Sequence, residues 1–327
     1  MSFANKRVLV TGGCGFIGSN LSRQLLKLGA QVTIVDSLNH LYGGNMQNIS
    51  DIQKDVELLI ADLSTMDDMK KLVKGKDYIF NLAAQISHVD SMTNPFNDFA
   101  INAKAQLVLL ETIRKVAPQV RIVFASTRQV YGIPQYLPVD ELHPVIPVDN
   151  NGIHKITAEN YHLLYSRVYG IAASCLRLTN TYGPGMRIKD ARQTFLGIWI
   201  KQALMGETIN IFGDGEQCRD FNYVGDVSSA FIAAALNDNS IGKIFNLGSN
   251  EVINLSKLAQ MLIEINGSGR FQLVPFPSER KIIDIGNYYG NWEKAKRELG
   301  WTPVTDLRSG LTISFEYYKQ YLNNYIK

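Results

Sequence analysis

Gly13, Gly15 and Gly18 fall in the spacing G-x-G-x-x-G, and Asp36 follows at roughly the 20-residue distance at which a carboxylate holds an adenosine ribose. Glycines at these places allow a tight turn, let the backbone approach a pyrophosphate and let a helix pack closely on a strand. The first N–H groups of that helix have no partners within it and attract an anion. The chemistry these residues point to is the grip of a dinucleotide. Asp36 also selects the cofactor, because its carboxylate accepts both ribose hydroxyls and repels a 2′-phosphate, while Ser37 and Leu38 offer no cation. NAD is therefore expected rather than NADP.

Such a grip needs a strand, a turn and a helix in order. Val8, Leu9 and Val10 form an apolar run before the loop, Leu21, Leu25, Leu26 and Leu28 recur with helical spacing after it, and a second apolar run over 32–35 ends at Asp36. Further along, 57–60, 78–84, 120–126 and 172–178 read as strands, and 66–73, 96–116 and 153–169 as helices. This alternation predicts an α/β fold, a doubly wound parallel sheet (Rossmann) with a smaller C-terminal substrate-binding lobe. Turn signals at 183–185, 213–215 and 267–269 mark the less regular later part. Because 226–236 reads as a helix and 243–247 as a strand, the chain is expected to return to the first unit. The expected organisation is an NAD-binding Rossmann domain over 1–180, rejoined by about 221–250, and a substrate-binding lobe formed by 181–220 and 251–327.

Composition narrows the function classes. The 327 residues are 46% hydrophobic and 19% charged with a formal charge of +3, which demands no nucleic-acid partner. Lys70, Lys71, Lys74 and Lys76 fall at a helix end and the following turn, where lysines suit the macrodipole and face solvent. Cys14, Cys175 and Cys218 are odd in number and widely separated, so neither a disulfide framework nor a zinc site is indicated. The first six residues run directly into the first strand without a signal core, and no stretch approaches 18 uninterrupted apolar residues. A soluble cytoplasmic protein with no membrane partner is expected.

Several segments line up in order: the glycine loop, Asp62-Leu63, Asn81-Leu82-Ala83-Ala84, Ser126-Thr127 with Val130-Tyr131-Gly132, the run from Arg177 to Pro184, the run from Gly213 to Asp226, and Leu299-Gly300-Trp301-Thr302-Pro303. Together they make the chain similar, from about residue 6 to 303, to the extended short-chain dehydrogenase/reductase family, specifically its nucleotide-sugar epimerases and dehydratases such as UDP-glucose 4-epimerase. The resemblance implies that Gly12, Gly15, Phe16, Ile17 and Gly18 hold the cofactor diphosphate, Asp36 the adenosine ribose, and Asp62 and Leu63 the adenine. It also implies that Leu82, Ala83 and Ala84 lie beside the cofactor. The shared reaction begins with transient hydride transfer from a sugar carbon to NAD and needs a base for the hydroxyl proton. A Tyr-x-x-x-Lys pair on one helix face normally supplies it, the lysine holding the nicotinamide ribose and lowering the tyrosine pKa, with a Ser or Thr binding the same hydroxyl.

In this chain the resemblance assigns the lysine to Lys155 and the hydroxyl to Thr127, but the tyrosine position is Asn151. An amide cannot exchange a proton usefully near pH 7. Asp149, His154, Tyr131 and His88 are the groups near that segment that could act instead. His154 is rotated about 100° around the helix from Lys155 and reads as an exposed side chain, Tyr131 as a wall of the pocket, and Asp149 as either a base or the residue that starts the helix. Family 4,6-dehydratases carry an acidic pair, and decarboxylases a Glu, where this chain has Arg128 and Gln129. Epimerisation or a simple redox step is therefore expected ahead of dehydration or decarboxylation.

For the substrate, expected to be a UDP- or dTDP-type nucleotide sugar, the resemblance implies that Asn180 contacts the sugar-diphosphate and that Arg219 grips the nucleotide diphosphate, with Arg280 as a second phosphate or ribose ligand. A guanidinium binds phosphate oxygens bidentately. The alternative for Arg219 is an ion pair with Asp214, Glu216 or Asp220. Residues 193–196 and 209–212 either border the nucleotide base or serve packing alone. Tyr165 and Tyr169 read as core or as a dimer face, and the resemblance implies a homodimer built on 96–116 and 153–169. Three functional readings follow: an epimerase or oxidoreductase with a reassigned base, a catalytically impaired binding protein acting as sensor or partner subunit, or an ordinary epimerase into which Asn151 was engineered.

Overall fold

Val8, Leu9 and Val10 are wholly buried in β1 (Arg7–Thr11), at the middle of a seven-stranded parallel sheet. The computed structural model describes residues 2–65, 69–190 and 194–326. The other strands of that sheet are β2 (Gln31–Asp36), β3 (Glu57–Ile60), β4 (Tyr78–Asn81), β5 (Arg121–Thr127), β6 (Ala172–Leu178) and, after an excursion through β7 (Asn180–Tyr182), β8 (Thr208–Phe212) and β9 (Cys218–Tyr223), β10 (Ile244–Asn246). The order β3-β2-β1-β4-β5-β6-β10 reverses direction between β1 and β4, the switch point at which such sheets bind ligands. Val8 and Val10 pack into one hydrophobic layer and Leu9 into the other. Because both faces are covered, these strands read as unbroken apolar runs.

Helices α1 (Phe16–Lys27) and, later in the chain, α8 (Val224–Leu236) cover one face. The other is covered by α2 (Met69–Val73), α5 (Ala105–Val116) and α6 (Asn150–Tyr169). The expected helix over 66–73 is described only from Met69 onward; its first three residues lie outside the described residues. The single helix expected over 96–116 is instead α4 (Pro95–Phe99), a π turn (Ala100–Lys104) and α5, preceded by the short α3 (His88–Thr93). The wide turn carries Asn102, whose side chain is held by the Gln85 carbonyl at 2.9 Å and Asp98 at 3.1 Å. Apolar spacing cannot register one widened turn. α6 starts three residues earlier than its periodicity indicates because Asp149 caps it, accepting the Gly152 N–H at 2.7 Å.

The remaining residues build a second layer. β7, β9 and β11 (Val252–Asn254) form a three-stranded sheet, and β8 pairs with β12 (Arg270–Val274). They enclose a separate core with α7 (Phe195–Met205), α9 (Leu255–Asn266) and α12 (Leu307–Ile326), the last broken at Tyr321. Two short helices, α10 (Ser278–Lys281) and α11 (Glu293–Leu299), complete the chain. The Trp301 indole N–H donates to the Asp226 carbonyl at 2.9 Å, and the Asp226 carboxylate accepts the Thr305 N–H at 2.9 Å, so α8 anchors the segment leading to α12.

Beneath the sheet's C-terminal edge, Arg177 on β6 is buried against Glu159 on α6 in a two-pronged ion pair, its Nε donating to Oε2 at 3.0 Å and its Nη2 to Oε1. The guanidinium also lies over the Tyr131 ring, 4.6 Å from the centroid. Removing one partner strands a buried charge, a loss of about 3–5 kcal/mol. Glu159→Ala is expected to destabilise the fold by that order in denaturant titration; a loss below about 1 kcal/mol would show that the pair behaves like a surface one.

Candidate active site

The end of β1 is tied to the end of β4 by one hydroxyl. Thr11 Oγ1 donates to Asn81 Oδ1 at 2.9 Å and accepts the N–H groups of Leu82 and Ala83, each at 3.0 Å. At this junction Gly12 adopts φ +70°, and a side chain there would meet the Ala83 backbone at 2.9 Å. A side chain on Gly18 would collide with the Gly12 carbonyl, so helix and loop close only with glycine. Gly15 differs, since a Cβ there would touch only the Gly12 carbonyl at 3.1 Å and otherwise stand in the open cavity. Asp36 Oδ2 accepts the Cys14 N–H at 2.9 Å and Oδ1 the Leu38 N–H at 2.8 Å. Burial pushes its carboxyl up, and the N–H groups of Leu38, Cys14 and Gly15 pull it back. A bare glycine backbone, a helix N-terminus and a fixed carboxylate fit a dinucleotide.

One cavity runs along the C-terminal edge of the sheet from this loop. Its wall contains Gly12, Gly15, Phe16, Ile17, Gly18, Asp36, Asp62, Leu63, Leu82, Ala83 and Ala84 at one end, and Thr127, Asn151, Lys155 and Asn180 toward the other. Asp62 is held by Ser64, whose N–H and hydroxyl donate to its Oδ1 at 2.8 and 2.7 Å.

At the far end, Lys155 Nζ donates to the Ala125 carbonyl at 3.0 Å and lies 4.9 Å from the centre of the Phe124 ring. Burial lowers its pKa to about 8, against an opposing attraction from Asp98. Thr127 ends β5, and its oxygen accepts the Gln129 N–H at 3.2 Å. Asn151 is fastened into the wall. Its backbone N–H donates to Ser91 Oγ at 3.2 Å, and its Nδ2 to the Gln85 carbonyl at 3.0 Å and to Asp98 Oδ2 at 3.2 Å. No proton-exchanging group stands at that position.

The four groups that could act instead are separated by the structure. His154 is not exposed; it turns onto the wholly buried Asp98, Nδ1 to Oδ1 at 2.6 Å, and its ring meets Phe99 edge-on. Tyr131 is core rather than pocket wall, its hydroxyl donating to Asn246 Oδ1 at 2.7 Å, and burial pushes its pKa up to about 12. Asp149 is the cap of α6, and its Oδ2 also accepts Gln129 Nε2 at 3.0 Å. Burial raises its carboxyl, but His88, the Gly152 N–H and Gln129 outweigh that and hold it below the usual range. His88 lines the cavity with Asn151 and Lys155.

The substrate residues divide similarly. Asn180 lines the cavity, its Oδ1 accepting from Arg128 Nη2 at 3.1 Å and its Nδ2 donating to the Asp220 carbonyl at 3.1 Å. Arg219 lies outside the cavity wall, its guanidinium bound to the carbonyls of Cys218 and Gly286 and to Gln217, with Asp284 at 3.7 Å. Its ion-pair partner is thus Asp284 rather than Asp214, Glu216 or Asp220, although the Asp220 charge also acts on it. Arg280 is exposed on α10, 5.5 Å from the centre of the Phe212 ring. Gln193 lies outside the described residues, Thr194 lines the cavity, and Leu196, Ile209 and Ile211 are buried core of the second layer. Arg128 is the cation that motif reading did not assign to the substrate. It lines the cavity, lies over Tyr288 at 5.0 Å, and its buried Nη1, like the buried Ser126 Oγ, has no partner among the described residues.

Residues 8–248 match the NAD dependent epimerase/dehydratase family. The chain belongs to that family. A putative UDP-glucose 4-epimerase of Methanocaldococcus jannaschii is 37% identical over 306 residues, covering 93% of this chain and 95% of the relative. The UDP-glucose 4-epimerase of Thermotoga maritima, solved with UDP-glucose, superposes with a TM-score of 0.86 at 31% identity over 97% of this chain and 99% of that one. The UDP-glucuronic acid 4-epimerase of Bacillus cereus, solved with UDP-glucuronic acid and NAD, gives 0.84 at 28% identity over 96% and 99%. Membership of the epimerase/dehydratase family makes NAD the cofactor that this cavity is built to take.

Lys155 carries a pH-dependent cost that a family epimerase accepts for its site. Its folded pKa lies below the ordinary lysine value, so the penalty is complete below about pH 8 and fades as pH rises toward 10.5, where the unfolded chain also loses the proton. Lys155→Met is expected to stabilise the unliganded protein at pH 7 by on the order of 2 kcal/mol, with the gain shrinking at pH 10. Denaturant titrations at the two pH values measure this, and an equal gain at both would refute it.

Proposed function

We propose that this family member is an NAD-dependent nucleotide-sugar epimerase or oxidoreductase that acts by transient hydride transfer at a sugar carbon, with a proton-transfer group other than the usual tyrosine. The observation that carries the reading is that Lys155 and Thr127 share one cavity with the glycine loop and Asp36. NAD supplies a hydride acceptor that can return what it takes. In this reading Gly12, Gly15, Phe16, Ile17 and Gly18 hold its diphosphate, Asp36 a ribose, Asp62 and Leu63 the adenine, and Lys155 the nicotinamide ribose. Thr127 binds the reacting hydroxyl. Asn180, Arg219 and Arg280 hold a UDP- or dTDP-type sugar nucleotide, consistent with the UDP-sugars in the two solved relatives. Arg128 and Gln129, where carboxylates would promote elimination, favour epimerisation over dehydration or decarboxylation.

The same reading divides the chain into a nucleotide unit, residues 1–180 rejoined over about 221–250, and a substrate lobe, residues 181–220 and 251–327. The return of β10 to the large sheet beside β6 supports it. It also pairs the helices over 96–116 and 153–169 in a homodimer, supported by the exposure of Phe96, Phe99, Val108, Ile153, Leu164, Val168 and Tyr169 along those helices. Sedimentation equilibrium is expected to give twice the chain mass; the mass of one chain at micromolar concentration would refute the pairing.

The fastening of Asn151 away from proton exchange favours a second reading, a binding protein that has lost catalysis. Incubation with UDP-, dTDP-, GDP- and CDP-sugars separates the two. Epimeric products or NADH absorbance are expected from the unaltered chain. Tight binding with no conversion, together with activity appearing in Asn151→Tyr, would establish the second reading instead.

A further inference from the structure

We propose that His88, oriented by Asp149, is the group that exchanges the sugar hydroxyl proton in this site. The proposal rests on the reading of the chain as a hydride-transferring epimerase or oxidoreductase. Its ground is the way one loop folds around Asn151. Gln85 and Ser91, three residues before and three after His88, both bond Asn151, one through its carbonyl and the other through its hydroxyl. The loop therefore delivers His88 to the cavity wall beside the position that lacks a proton-exchanging side chain.

Asp149, two residues before Asn151, faces the imidazole from behind. Its Oδ2 lies 2.8 Å from His88 Nδ1; the carboxylate is wholly buried, while 37% of the imidazole surface remains open. The approach is oblique to the ring, a close electrostatic pairing rather than a well-aligned hydrogen bond. The carboxylate cannot swing away, because the Gly152 N–H and Gln129 Nε2 hold it. With Nδ1 enclosed against the buried carboxylate, Nε2 is the ring nitrogen left to meet a substrate hydroxyl. Gln129 also follows Thr127 by two residues and donates its N–H to that hydroxyl, so the group that fixes the imidazole is bonded to the strand end expected to hold the reacting hydroxyl. The other titratable neighbours are engaged elsewhere: His154 with Asp98, Tyr131 with Asn246, and Lys155 with the Ala125 carbonyl.

In the step itself, the sugar O–H bond breaks and its proton goes to His88 Nε2 as the carbon becomes a ketone; bound NAD would supply the acceptor for the hydride that this carbon gives up. The proton then goes back from Nε2 to oxygen, and the hydride that NAD would return to the opposite face gives the epimer with no net oxidation. His88 is then a catalytic residue, and Asp149 a positioning one.

Three measurements test this. His88→Gln is expected to lower conversion of the nucleotide sugar by roughly 10²- to 10⁴-fold, with its affinity, measured by calorimetry, unchanged. His88→Ala is expected to regain activity when imidazole is added, a response that a purely structural role would not give. In spectra of ¹⁵N-histidine-labelled protein, the His88 Nε2 resonance is expected to shift on addition of the nucleotide sugar but not of UDP alone, and Asp149→Asn to reduce that shift. If the unaltered chain converts sugars and His88→Gln does so within about threefold, the assignment of His88 fails and the proposed activity stands. If the unaltered chain converts none of the sugars it binds, both fail.

Discussion

The Asp149 carboxylate joins three elements that the site requires to be in register. Through Oδ1 it closes the first turn of α6, which carries Asn151 and Lys155; through Oδ2 it takes Gln129 just beyond β5, and it pairs with His88 at the start of α3. A carboxylate buried without donors would be expelled or protonated. Here a backbone N–H, an amide and an imidazole together hold it charged, below the usual range. The helix that presents the lysine and the strand that presents Thr127 are thus fixed by one group, rather than by packing alone, one that accepts two hydrogen bonds and pairs with an imidazole at once.

This arrangement works because the sheet has placed those strand ends side by side. In a parallel sheet covered on both faces, every strand finishes at the same edge, and the reversal of order between β1 and β4 opens a crevice there. Thr11 spans it, and on β5 beyond β4 the Ala125 carbonyl takes Lys155 from α6. The second layer, with its own core, then approaches this edge, bringing Asn180 against Arg128. Cofactor end and substrate end are parts of one cavity for this reason, although their residues lie far apart in the chain.

Much of this was legible in the residues. Glycine spacing, the apolar runs and Asp36 need only local chemistry, and the strands they imply form the sheet. Leu196, Ile209 and Ile211 show where such reading stops, since a buried apolar residue of a second core and a wall beside a nucleotide base have the same spacing. His154 reads as exposed from sequence because its own helix says nothing of Asp98, which arrives from α4 on a chain segment of its own. The π turn at Ala100–Lys104 adds its extra width without disturbing the apolar pattern enough to be seen. Arg128 stood in a familiar position as a missing acid, and only the three-dimensional arrangement shows that it is a cation facing the cavity.

That substitution of charge has a consequence for how the two layers meet. Arg128 follows β5 in the large sheet, and Arg219 lies on β9 in the second layer. Burial weakens the charged form of both, and for Arg219, lowered to about 10, the nearby Arg128 adds to the cost. The carboxylates near them act at a distance, Asp284 reaching Arg219 only at 3.7 Å and Arg128 making no ion pair among the described residues. The junction between the layers therefore holds two guanidinium groups, with Asp220 and Asp284 near both, in a poorly solvated place. An anion entering the cavity meets Arg128, whose buried Nη1 has no partner among the described residues, and a charge-assisted bond to a guanidinium already desolvated is stronger than the same contact in water.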